Sequence, residues 1–206
     1  MNRRQILSLA AATPLLSAGT ALVMPKLALA DPLEPDEHDR ILGDPDAPVT
    51  LIEYSSLTCP HCARFHTETI PQVKKEWVDT GKVRVINRHF PLDRLALFAA
   101  LVAECLESND SYFAFVNLLY KDQNVWARSN DPVSEIAQRA RLVGLSQEDI
   151  ERCISDESTR RRIVEKMAEG RDDLGVNSTP TILVDGERVG NSYDAINEAL
   201  NDAYKG

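Results

Sequence analysis

Basic charge is in short supply in this chain. Its 206 residues carry 23 lysines and arginines against 32 aspartates and glutamates, a net charge of −9. A polyanionic partner needs the opposite balance, which argues against nucleic acid or an anionic membrane face. Internal repeats and low-complexity tracts are missing, so a repeat array or a largely disordered chain is excluded. Cysteine is scarce as well: there are four, Cys59, Cys62, Cys105 and Cys153. An even count this small is compatible with two disulfides, provided the protein works in an oxidising compartment.

Acids are absent from residues 1–30, which carry only Arg3, Arg4 and Lys26 as charges. An uncharged stretch runs from Gln5 to Pro25, and Ala28-Leu29-Ala30 is a small-x-small cleavage site. This is the pattern of a cleavable export signal. Thr13, Pro14, Ser17, Gly19 and Thr20 weaken the alternative of a permanent membrane anchor. Arg3-Arg4 with the late Lys26 suits twin-arginine export, with general secretion as the other route. The expected compartment is the periplasm, where disulfides persist. Cleavage after Ala30 would leave 176 residues with 20 basic and 32 acidic side chains, a net charge of −12. That length suits one domain with a proper core.

Residues 31–48 read as an N-terminal extended segment: an acidic tail Asp31–Asp39, then the turn cluster Gly43-Asp44-Pro45-Asp46-Ala47-Pro48. Val49–Ser55 is a strand. From Pro60 the period becomes helical, with Cys62, Phe65, Thr69, Val73 and Trp77 on one stripe. Pro71 should kink that helix, because it lacks a backbone donor and crowds the preceding turn. Val83–Phe90 is a second strand. The β signal then stops, and helices are predicted over Leu95–Glu107, Ser111–Tyr120, Ser134–Val143, Gln147–Ile154 and Glu157–Leu174, with Ser146 and Asp156 as N-caps. Strands return at Thr181–Val184 and Arg188–Gly190 around the hairpin signal Asp185-Gly186, and Tyr193–Tyr204 is a closing amphipathic helix. The predicted class is an α/β fold, β-α-β then β-β-α, with a helical insertion. Its first part spans 49–94, the insertion 95–173 and its second part 174–206.

Cys59-Pro60-His61-Cys62 carries the chemistry. Two thiols one turn apart at a strand-to-helix junction can exchange electrons as a single disulfide. A thiolate at Cys59 would face unpaired backbone N–H groups and the positive end of the helix dipole. That dipole contributes only about 0.3–1 kcal/mol, rising to 2 when partly buried, so the intervening residues must add to it. His61 is the expected source, by charge or hydrogen bond. Pro60 shapes the loop without offering a donor. Cys62, on the stripe of Phe65, should be buried and less reactive. A structural metal is the alternative: His66 would be a third ligand with the two thiols, but a fourth is not visible nearby. Neither a metal nor any other cofactor is implied.

With this order of elements, the chain resembles the thioredoxin-fold thiol–disulfide oxidoreductases, and among them the DsbA-type periplasmic oxidases. The resemblance rests on Ser55-Ser56-Leu57-Thr58-Cys59-Pro60-His61-Cys62, on Gly175-Val176-Asn177-Ser178-Thr179-Pro180-Thr181, and on the position of the helical insertion. It runs from about Ile41 to Tyr204. It implies a thioredoxin fold with a helical insertion subdomain. It implies that Glu53, which interrupts the apolar strand Val49–Tyr54, is a buried acid exchanging protons with Cys62; burial favours the protonated carboxyl and lets it act near neutrality. The residues alone also allow a strand-end carboxylate reaching solvent or Lys82. It implies further that Pro180 is cis beside the dithiol, leaving the Thr179 backbone free to pair with an extended substrate. Thr179 departs from the best-known oxidases, which carry valine there. Relatives with an extra cysteine pair imply a disulfide between Cys105 and Cys153, where the residues alone allow two separate buried thiols. His89 reads as structural, and Arg160-Arg161-Arg162 as a solvated face.

The expected function is that of an exported enzyme introducing disulfides into reduced, unfolded proteins, recycled by a DsbB-type membrane reoxidase and working as a monomer. A disulfide isomerase or reductase on the same scaffold is the alternative, and a structural metal-binding or chaperone-like module the third.

Overall fold

The protein is described by a computed structural model over residues 31–205; the export signal expected at residues 1–30 lies outside the described residues. Five strands form one mixed sheet in the order β1-β3-β2-β4-β5. The central pair is β2 (Val49–Ser55) and β3 (Val83–His89), which run parallel with Glu53 opposite Asn87. Strand β4 (Thr181–Val184) lies antiparallel on the other side of β2, and β5 (Glu187–Val189) closes that edge. The β4–β5 turn places Asp185 at φ 44° and Gly186 at φ 89°. Left-handed geometry at both positions is what a tight hairpin needs, and Asp-Gly is the pair that supplies it.

Alternation along β2 and β3 divides the sheet into two faces. Leu51 and Val85 join Phe65, Val73, Trp77, Ile196 and Leu200 in one buried cluster, beneath the first helical segment and the last. Ile52, Tyr54, Ile86 and Leu183 point the other way and pack with Val176. The first face changes character along its length. Beyond Leu51 and Val85 the next inward positions are Glu53, Ser55, Asn87 and His89, all buried. A sheet face that turns polar while staying closed to water marks the site.

The helix after β2 starts as α1 (Pro60–Arg64), continues through a π turn over Phe65–Thr69 into α2 (Ile70–Val73), and ends in a second π turn, Lys74–Val78. Pro71 does not break it. The donor that proline withholds is accommodated by wider turns on either side, in which the Ile70 amide reaches back to the Phe65 carbonyl and the Asp79 amide to that of Lys74.

Between β3 and β4 lie α3 (Arg94–Glu104), α4 (Asn109–Lys121), α5 (Gln123–Trp126), α6 (Pro132–Leu142), α7 (Gln147–Ile154) and α8 (Glu157–Asp172). Ser146 caps α7 in a reciprocal capping box with Asp149, and Asp156 caps α8. Tyr112, Phe115, Leu119, Trp126 and Ile136 build the core of this block, and Cys59 and Cys62 belong to the same cluster. Helix α8 approaches the sheet closely: a Cβ on Gly170 would lie 2.5 Å from the Tyr54 ring. The chain closes with α9 (Tyr193–Lys205).

The N-terminal segment departs from the sequence reading at two points. Residues 31–39 are not a free tail: the buried Arg88 guanidinium holds Asp39 at 2.7 and 3.0 Å, reaches the Glu34 carbonyl at 3.1 Å, and also bonds the Pro32 carbonyl. Arg40–Leu42 then pairs antiparallel with β3 as the edge strand β1. Both depend on partners distant in sequence, so no local period announces them.

Candidate active site

Strand β2 delivers the chain into Ser56-Leu57-Thr58, and Cys59 stands at the N-cap of α1 with Pro60 at its first turn. Cys59 is 6% exposed and Cys62 fully buried, and both are free thiols. The loop is clamped from the helical block. Gln123 is buried and its Nε2 donates to the carbonyls of Leu57 at 2.8 Å and Cys59 at 3.0 Å. Thr58 donates to Asp93 at 2.7 Å, and the same carboxylate caps α3. Gln123 escaped the sequence reading; in a polar run between two helices it carries no signal of its own.

The Cys59 thiol is pulled down to about 5. The Cys62 thiol is the largest cause, donating to the sulfur. Burial opposes the shift, while Thr179 and the backbone amides of Cys62 and His61 add to it. Thr179 presents two oxygens: its carbonyl accepts from the thiol at 3.3 Å, and its buried hydroxyl, which has no hydrogen-bond partner, is free to donate once the sulfur is a thiolate. The Thr179–Pro180 peptide is cis. His61 serves the sulfur through its backbone amide, whereas its exposed ring lies 3.4 Å from the Arg64 guanidinium. Cys62 is pushed the other way, first by burial, then by Cys59 and by the charge of Glu53.

Glu53 is fully buried. It reaches neither solvent nor Lys82, whose ammonium lies over the Trp77 and Tyr204 rings. Its carboxyl contacts His66 Nε2 at 2.9 and 3.1 Å and accepts from Asn87 Nδ2 at 3.1 Å. The network continues from Asn87 through the Tyr112 hydroxyl at 2.7 Å to His89 at 3.0 Å, and on to Glu104 at 3.3 Å. Tyr120 stacks on His66 with ring centroids 4.2 Å apart. His66 therefore turns to Glu53 rather than to the sulfurs, and among the described residues no group of His, Cys, Asp and Glu side chains is arranged to hold a metal.

Cys105 and Cys153 are joined as a disulfide with Cα atoms 5.8 Å apart, tying the end of α3 to α7. Arg160 spends its guanidinium within α7 and α8, on the Ile154 carbonyl and Glu157.

A thiol held as thiolate beside one held as thiol, with a buried acid behind them, is an arrangement for two-electron exchange between dithiols and disulfides. Comparison with known proteins agrees. A thioredoxin family matches residues 36–202. A Rickettsia bellii protein named as a protein-disulfide oxidoreductase is 29% identical over 169 residues, covering 82% of this chain and 65% of its own. A Rickettsia conorii relative named likewise is 31% identical over 172 residues, covering 82% and 61%. The chain thus spans less than two thirds of the length of these curated relatives. The crystal structure of Wolbachia pipientis alpha-DsbA1 superposes with a TM-score of 0.75 at 31% identity, covering 83% of this chain and 93% of that one. Oxidised BdbD from Bacillus subtilis gives 0.73 at 26%, covering 82% and 94%. The chain belongs to the DsbA-like thiol–disulfide oxidoreductases of the thioredoxin-fold superfamily.

Proposed function

We propose that this enzyme is an oxidase, donating the Cys59–Cys62 disulfide to reduced proteins outside the cytoplasm. The observation that carries the direction is the Cys59 thiol, lowered to about 5 from an ordinary 9.0. Stabilising the thiolate stabilises the reduced enzyme, so its disulfide gives up oxidising power readily. A depression of that size is on the order of 5 kcal/mol, equivalent to over 100 mV for a two-electron couple.

In the cycle, a substrate thiolate attacks Cys59 Sγ, the Cys59–Cys62 bond breaks, and its electron pair goes to Cys62. Cys62 takes a proton from Glu53. A second substrate thiolate then attacks its partner sulfur in the mixed disulfide and expels Cys59 as a thiolate. The substrate loses two electrons; the enzyme gains them as one thiolate and one thiol. The substrate would lie as an extended segment against Thr179 and Pro180. The segment 1–30 supports export to the periplasm, recycling would fall to a DsbB-type membrane reoxidase, and a monomer would suffice.

Reduced, unfolded ribonuclease tests this. The oxidised enzyme should regenerate its disulfides stoichiometrically, and a Cys59→Ala variant should not. The Thr179 hydroxyl beside the sulfur favours isomerisation as a second reading. Faster reactivation of scrambled than of reduced ribonuclease would establish that reading instead.

A further inference from the structure

We propose that His66 is the proton-exchange residue of the redox centre, carrying protons between Glu53 and the solvent of a groove remote from Cys59. The proposal deepens the dithiol mechanism and rests on it. Once it has given its proton to Cys62, a closed carboxyl stays a buried charge until re-oxidation unless a neighbour supplies another proton. Glu53 is fully buried, and the other hydrogen-bonded branch from it begins at the Asn87 amide, which does not titrate. His66 is the titratable neighbour.

Its geometry fits the task at both ends. Nε2 straddles the two Glu53 oxygens at 2.9 and 3.1 Å, and Nδ1 lies 3.2 Å from Asn117 Oδ1. The ring is 2% exposed, yet it lines a groove of about 580 Å³ between the first helix and α4, floored by Thr67, Ile70, Phe113 and Asn117. Asn117 itself is exposed. The hydrogen-bond pattern assigns the protons. Because Asn117 Oδ1 accepts, Nδ1 carries a hydrogen. The contact at 2.9 Å then requires one more proton between Nε2 and Glu53, on either the imidazole or the carboxyl. The pair holds one transferable proton in both forms. Tyr120, stacked at 4.2 Å, keeps the ring in register.

When a substrate thiolate bonds to Cys59 and the electron pair of the broken disulfide arrives on Cys62, Glu53 gives its proton to that sulfur. Glu53 is then a carboxylate facing an unprotonated Nε2; the imidazole takes up a proton from groove water at Nε2 and shares it with Glu53, so the pair again holds one transferable proton. Re-oxidation runs the same steps backwards. No electron passes through His66. The charged and titratable groups facing it are Glu53 from β2, Cys62 and Lys74 from its own helical segment, and Asp110, Tyr120 and Lys121 from α4. His66 acts through Glu53, so its role is positioning and proton supply rather than contact with substrate.

The test follows the reaction of the oxidised protein with a reduced dithiol peptide across about pH 5 to 8, the range in which histidine titrates. His66→Gln should be roughly tenfold slower than wild type, with a flattened pH profile. His66→Ala should be similarly slow, and imidazole admitted through the groove should restore it, whereas the same concentration of a non-titrating ring should not. In both variants the Cys59 thiolate should still titrate near 5. Wild-type rates in His66→Gln, or slow variants with an unchanged profile and no imidazole rescue, would overturn the proposal. If neither histidine variant folds, Asn117→Asp decides: a carboxylate beside Nδ1 should move the profile to higher pH, and an unmoved profile counts against the relay. Wild type that fails to react with the peptide would instead sink the dithiol mechanism itself.

Discussion

One turn of helix separates Cys59 from Cys62, and their surroundings act in opposite directions. Cys59 gathers donors; Cys62 is enclosed by apolar side chains and faces the Glu53 charge. The Thr179 hydroxyl is one of those donors, so Thr179→Val should raise the Cys59 titration midpoint by about one unit, the scale of a hydrogen bond to a charged group. Thiolate absorbance against pH checks this, and an unmoved midpoint would exclude the hydroxyl. The same group sets a pH dependence. Its folded value, about 5, lies below its ordinary 9.0, so thiolate stabilisation is fully present above pH 9.0 and is lost as pH falls through 5. Denaturation of reduced and oxidised protein should therefore show the reduced form gaining relative stability from pH 5 towards 9. The thiols were legible from their spacing at a strand-to-helix junction and Glu53 from its interruption of an apolar strand, whereas the roles of Glu53 and Thr179 came only through the family resemblance. His66 was visible only as a candidate ligand, and Gln123 not at all, because their partners Glu53, Leu57 and Cys59 are brought together by the fold.

Elements long enough to show a period were legible. Strands β2 and β4 fall where short apolar runs put them, since both of their faces are buried, and helix α7 falls where the stripe of Ile150 and Cys153 puts it. Strand β1, with 3 residues, and α5, with 4, are too short to complete a period and exist because β3 and the helical core accept them. The docking of 31–39 rests on Arg88, which lies within the predicted strand Val83–Phe90 and carries no local sign of partners so distant in sequence. The contact of α8 with β2 is likewise invisible before folding. Gly170→Ala should force a methyl into the Tyr54 ring, which is itself buried against Arg88. Overpacking of this kind costs about 1–3 kcal/mol. Urea denaturation should show that loss, and wild-type stability would mean that α8 can shift away at no cost.

Across the whole molecule, a thioredoxin-like sheet and a helical block share the redox centre, with Cys59 and Cys62 contributing to the helical core. The second disulfide closes a loop of 48 residues within that block. Replacing both Cys105 and Cys153 by alanine should lower stability by about 4 kcal/mol on the chain-entropy account, measured on protein whose active-site pair is held in one state. A loss near zero would show that helix packing alone orders the block. The central claim is that these surroundings make the Cys59–Cys62 disulfide an oxidant. Its reduction potential, measured against glutathione with Cys105–Cys153 intact, tests this most directly. A value at least 100 mV above thioredoxin's about −270 mV is predicted, and a value at thioredoxin's level would contradict the account.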